Sequence, residues 1–178
     1  MSRSERWQHG VLQAFAALLI LLMLAIVAQV LCSALDVNPL WRFAEPVFLF
    51  GSAISLNSLL DLQWHLLSAI AFLAAGLVWL RDAHVRVDFF YATRAQRGRT
   101  IIDLLGHVVF TAPFLFLGIP ASWSFVKRAW TSDQGSINDG LHDLWLIKSV
   151  LPVGLSLLAL VLITDCIALL LKLRARNE

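Results

Sequence analysis

Arg81-Asp82-Ala83-His84-Val85-Arg86-Val87-Asp88, continuing through FFYATRAQRGR to Arg99, holds five of the fourteen Lys and Arg residues and separates two long apolar runs. A short basic loop between hydrophobic segments marks sidedness, because Lys and Arg next to membrane-spanning ends are retained in the cytoplasm. With that loop inside, the side of every other loop follows from the number of crossings.

The 178 residues are 59% hydrophobic and 15% charged, against roughly 25% charged in an ordinary soluble domain. The chain therefore reads as a membrane protein, in which each crossing needs about 20 apolar residues. Four segments meet that need: about 11–35, 62–80, 101–126 and 144–171. The run from Val11 to Leu35 is longer than the roughly 7–15 residues of a signal-peptide core, so it is expected to remain as a helix. The third segment contains Pro113 and Pro120, which predicts a kinked helix. In the second, Ser68, Ala71 and Ala75 form a small-residue face suited to close helix approach.

Residues 36–61 hold Glu45-Pro46, a pattern typical of a helix start. The apolar part, Val47 to Leu60, is interrupted by Gly51, Ser52, Ser55, Asn57 and Ser58. This predicts an interfacial helix over about 44–60 rather than a crossing. Lys127 to Asp143 has the Gly, Ser, Asn and Asp content of an ordered turn region. On this layout the ends and the basic loop hold ten Lys and Arg and the two other loops three. The expectation is thus an all-α membrane protein forming a single domain over 1–178, with four transmembrane helices and both termini cytoplasmic. The interfacial helix would lie on the outer side between the first and second spans. All seven tryptophans fall near segment ends, where an aromatic belt belongs. Cys32 and Cys166 would then sit at opposite faces, which disfavours a disulfide.

The expected mid-depth residues, Met23, Ala71, Pro113 and Ser156, cannot carry charge, whereas an ion path needs ionisable groups there. Lys148, Asp165 and Asp103 fall toward span ends. Asp103 lies four residues after Arg99, a spacing that pairs charges on a helix. Interfacial pairing or snorkelling accounts for these residues, and contact with a partner subunit is the alternative. His65, His84, His107 and His142 do not fall at matching depths for haem. No zinc spacing, glycine-rich phosphate loop or nucleophile with a base is present. The residues therefore point to no enzyme, no cofactor, no metal site and no nucleic-acid partner.

Two motifs acquire meaning together: Arg81-Asp-Ala-His84-Val-Arg86-Val-Asp88 after the second span, and Leu144-Trp145-Leu-Ile-Lys148 with Pro152 and Gly154 opening the fourth. With four spans, the chain over roughly 11–172 resembles the small membrane subunit (Q type, the DctQ family) of tripartite ATP-independent periplasmic transporters, or TRAP transporters. It differs in the loop before the fourth span, where Asp133 to Leu141 lacks the family's Gly-Gly-Leu-Pro turn. The resemblance implies a bacterial inner-membrane, non-catalytic small permease subunit of a sodium-coupled transporter. That subunit would scaffold a large multi-span permease subunit, which takes an organic acid or similar solute from a periplasmic substrate-binding protein. By the same resemblance Arg81, His84, Arg86 and Asp88 would contact the large subunit or membrane lipids. Trp145 and Lys148 would lie at the outer face, where the binding protein docks. The competing readings are the membrane anchor of a redox enzyme and a free-standing small transporter.

Overall fold

The computed structural model describes residues 3–81, 91 and 93–174. Their order is α1 (Arg3–Ala34), β1 (Trp41–Val47), β2 (Gly51–Ile54), α2 (Leu56–Leu80), α3 (Gln96–Gly106), a π-helical turn (His107–Thr111), α4 (Ala112–Thr131) and α5 (Trp145–Arg174). Four stretches are long and apolar enough to cross a membrane: His9–Ala34, Leu56–Leu80, Gln96–Thr131 and Trp145–Arg174. These are the four segments expected from the sequence, with shifted ends. Cys32 and Cys166 are free thiols.

Two compact units emerge: Met1–Phe72 with Ser124–Val150, and Leu73–Trp123 with Leu151–Glu178. In the first, the expected interfacial helix over 44–60 is replaced by an antiparallel hairpin, and its last residues belong to α2. The strands pair Trp41 with Ile54, Arg42 with Ala53 and Val47 with Gly51, with an irregularity between Arg42 and Val47. Pro46 falls in that irregular part, where a residue without an N–H interrupts no ladder bond. The turn is made by Leu49 and Gly51, both at positive φ (72° and 60°), a conformation that costs glycine nothing.

Helix α2 begins at Leu56 rather than Leu62 because Ser55 caps it. The Ser55 hydroxyl accepts from the Ser58 N–H at 3.1 Å, and the Ser58 hydroxyl accepts from the Ser55 N–H at 3.2 Å. This reciprocal pair satisfies donors that a bare helix start would leave open. The polar residues that depress hydropathy before Leu62 are thus the helix's own start signal.

In the second unit, Leu115 of α4 and Leu155 and Leu162 of α5 form a buried cluster, flanked by Trp79, Ile119, Leu158 and Cys166. Where the sequence predicts a kink, the third span carries a π-helical turn. There the Ala112 N–H reaches back to the His107 carbonyl, five residues away rather than four. Pro113 follows directly and has no N–H to give, so the widened turn redistributes the carbonyls it leaves unpaired. Helix α2 approaches α5 closely at Gly76, one residue beyond the expected Ala75. A Cβ there would stand 3.4 Å from the Val161 side chain and 3.7 Å from the Leu157 carbonyl oxygen.

Those distances admit a methyl group and nothing larger. Gly76→Ala is expected to melt near the wild type in detergent, whereas Gly76→Leu should lose about 1–3 kcal/mol through overpacking. Equal melting temperatures for the two variants would show that α2 and α5 do not pack closely at this point.

Candidate functional site

Each unit holds a cluster of polar side chains centred on aspartate. In the first, the loop between α4 and α5 is fastened to the hairpin and to the start of α2. Leu49 makes both of its backbone bonds to residues far along the sequence: its N–H donates to Asp143 Oδ2, 94 residues away, at 3.3 Å. Its carbonyl accepts from the His142 N–H at 2.7 Å. Asp61 Oδ2 accepts the N–H of fully buried Leu141 at 3.0 Å. Ser55 donates to the Asp139 carbonyl at 2.9 Å, and the Asn57 amide donates to the Asn138 carbonyl at 2.6 Å. Asp133, Asp139 and Asp143 all take positive φ, which aspartate tolerates better than most residues. The acid-rich composition that marked this stretch as a turn thus has a conformational reason.

Glycine makes this fastening possible. The His142 ring lies where a Cβ on Gly51 would stand, and the Asp61 carboxylate lies where one on Gly140 would stand. Beneath the loop, Trp145 and Lys148 act as foundations. The Trp145 indole N–H donates to Asp143 Oδ1 at 3.3 Å, and its ring meets Trp130 edge-on with centroids 4.6 Å apart. The Lys148 ammonium donates to Gln134 Oε1 and lies 4.3 Å from the Phe125 ring centroid. An open cleft of about 490 Å³ lies between hairpin and loop, with Arg42, Asn57 and Asn138 in its wall.

In the second unit one oxygen, Asp165 Oδ2, accepts from the Trp79 indole at 3.2 Å and contacts His107 Nε2 at 3.0 Å. The other ring nitrogen of His107 faces the Asp103 carbonyl. Trp79 and His107 meet edge-to-face at 5.2 Å. Asp165 of α5 therefore ties α2 and the π turn to one point. Asp103 accepts from the Tyr91 hydroxyl at 2.8 Å, while Arg99 Nε donates to the Arg94 carbonyl and its guanidinium lies 5.6 Å from the Tyr91 ring centroid. The i,i+4 spacing of Arg99 and Asp103 thus gives way to hydrogen bonds that bring in Tyr91 and Arg94.

Of the site residues expected from sequence, Trp145 and Lys148 come together, half-buried, within one foundation. Arg81 is exposed after the end of α2, its N–H bonded to the Leu77 carbonyl at 3.2 Å. His84, Arg86 and Asp88 lie outside the described residues. Sequence reasoning missed Asp61, Asp143 and the Trp79, His107, Asp165 group. It placed Asp165 at a span end and weighed His107 only against other histidines. For the redox-anchor reading, His107 is poorly suited to an axial haem ligand, since both of its ring nitrogens face protein acceptors.

The two ties give separate tests. Asp61→Ala strands the buried Leu141 N–H and should cost about 1–3 kcal/mol, while Asp61→Asn retains an acceptor and should recover most of it; identical melting of the two variants would disconnect this bond from stability. For Asp165, a double-mutant cycle of Asp165→Ala with Trp79→Phe should show a coupling on the order of 1 kcal/mol. Strict additivity would mean that the shared oxygen contributes nothing.

Residues 48–172 match the sequence family described as tripartite ATP-independent periplasmic transporters, DctQ component. Among curated proteins, none matches the chain. The family match extends over well more than half of the sequence, and α2 through α4, all but the last two residues of α5, and both aspartate-centred clusters fall within it. Together with four helices of membrane-crossing length and composition, this makes the chain a member of the DctQ family, the small component of tripartite periplasmic transporters.

Proposed function

We propose that this chain is the non-catalytic small permease subunit of a sodium-coupled TRAP transporter. In this reading it scaffolds the large subunit that imports an organic acid or similar solute delivered by a periplasmic binding protein. It resides in a bacterial inner membrane with both termini cytoplasmic, as the ten-to-three distribution of basic residues favours. The observation that carries the scaffolding role is the uncovered apolar surface of α1. Only 6% of its most apolar window is buried within the chain, against 22% for α5. Such a surface requires lipid or another subunit's helices to cover it.

The ionisable groups within the helices support the same reading. His107, Asp165, Asp103 and Lys148 each contact a protein partner, so they serve as ties. A transport path needs groups that exchange partners with the passing ion. Arg81, His84, Arg86 and Asp88 are proposed to contact the large subunit or lipid phosphate on the cytoplasmic side. Trp145 and Lys148 contribute to binding-protein docking by holding the loop above them in place.

Co-purification with reconstitution tests this. A tagged chain is expected to retain a large multi-span partner, with Arg86→Ala weakening that retention without preventing membrane insertion. Liposomes containing both subunits and the binding protein should show sodium-dependent uptake, and liposomes containing this chain alone should show none. Uptake by the chain alone would overturn the scaffold role.

A further inference from the structure

A second cavity, of about 340 Å³, opens beside the Asp165 tie and belongs wholly to the Leu73–Trp123 and Leu151–Glu178 unit. Its wall includes Trp79, Tyr91, Asp103, Asp165, Leu169 and Lys172. That volume lies in the range of small-ligand pockets, roughly 300–1,000 Å³. We propose that it is a binding site for the headgroup of a primary-amine phospholipid, of the phosphatidylethanolamine class. Its ammonium would sit between the Asp103 and Asp165 carboxylates, and its phosphate would sit against Lys172.

The position argues for a lipid. Trp79 is the penultimate residue of α2, Gln96 on the cavity wall opens α3, and Lys172 lies two residues before the end of α5. Helix ends carrying Trp and Lys are where a chain meets lipid headgroups. Leu80 and Leu171, beside the wall residues Trp79 and Lys172, are both 61% exposed, and acyl chains could lie along them.

The charge pattern argues for an ammonium joined to a phosphate. Asp165 uses Oδ2 for Trp79 and His107, and Asp103 uses Oδ2 for Tyr91. The Oδ1 atom of each carboxylate has no hydrogen bond among the described residues. Lys172 likewise has no ion pair among them. Two acceptors able to take N–H donors, with a cation nearby, complement a ligand of both signs. An anionic headgroup such as that of phosphatidylglycerol could keep its phosphate on Lys172 but would offer the carboxylates only neutral hydroxyls, weaker donors than an ammonium. A trimethylammonium keeps its attraction to the aromatic faces but has no N–H to donate. A lysine from another subunit would bring a second cation toward Lys172. A metal ion is poorly served, because no group of three or more metal-ligating side chains occurs among the described residues.

The test uses the chain co-purified with its large subunit, stripped of lipid in detergent. It is then offered phosphatidylethanolamine, phosphatidylcholine and phosphatidylglycerol with identical acyl chains, and free phosphoethanolamine in a separate arm. Retention is read by native mass spectrometry. The wild type should retain phosphatidylethanolamine about tenfold over the other two lipids, the scale of one lost charge-assisted hydrogen bond. Asp103→Asn should bring it down to the phosphatidylcholine level while keeping an acceptor for Tyr91. Lys172→Gln, at an exposed position, should weaken retention even if Asp103→Asn does not fold. Equal retention of the three lipids by the wild type, or phosphatidylethanolamine retention unchanged by Lys172→Gln, would overturn the site. So would retention of free phosphoethanolamine without retention of the lipid. These outcomes are independent of whether the complex transports anything.

Discussion

One oxygen atom, Asp165 Oδ2, joins three elements of the chain, because it accepts from α2 through Trp79 and contacts the π turn through His107 while belonging to α5. Where water is scarce, a polar side chain without a partner costs free energy comparable to a lost hydrogen bond or more. Three polar groups that converge satisfy one another and cannot separate cheaply. The leucines nearby add contact area but little geometric definition, since lipid tails solvate Leu as well as a neighbouring helix does. Direction is therefore set by the polar contacts, and the cluster of Leu115, Leu155 and Leu162 fills the space they define. The π turn belongs to the same arrangement: it precedes Pro113 and begins at His107, so the helix widens where it must both accommodate the proline and present its imidazole.

The other unit solves a related problem in irregular backbone. A loop and a hairpin expose N–H and C=O groups that no helix satisfies. Asp61 and Asp143 accept backbone N–H groups from distant segments, and glycines leave room for the approach. Carboxylates suit this task because each oxygen can take more than one donor. Trp145 and Lys148 then appear as supports. Their contacts with Asp143, Trp130, Gln134 and Phe125 hold the loop from below.

The four membrane-length helices were legible because apolar length is a local, additive signal, and residues such as Leu19, Ile20, Leu24 and Val27 report it without reference to anything distant. The stretch from Lys127 to Asp143 was legible as ordered turn only beyond Thr131, where α4 ends; there Asp133, Asp139 and Asp143 favour the backbone they adopt. The hairpin was not. Glu45-Pro46 resembles a helix start over a few residues, and what overrides it is the pairing of Leu49 with His142 and Asp143, 94 residues away for the latter. The start of α2 lay closer to the surface of the sequence: Ser55 and Ser58 stand three apart in a capping arrangement, yet they also lower hydropathy. For Asp165 pairing was the expected reading, but its two partners come from other helices, which spacing along α5 cannot reveal.

These ties bear on the scaffolding role proposed above. A group that moves ions must be able to release one partner for another, so its interactions must be nearly balanced between states. Asp165 and His107 are instead held by several contacts at once, and exchanging them would free the end of α2 and the π turn from α5 together. Rigidity of that kind disfavours a moving part and favours a fixed one. The uneven covering of the helices is in keeping with this: α5 has the largest share buried within the chain and α1 the smallest. One helix thus organises the chain's own packing, and another has its apolar surface left over for lipid or a neighbouring subunit.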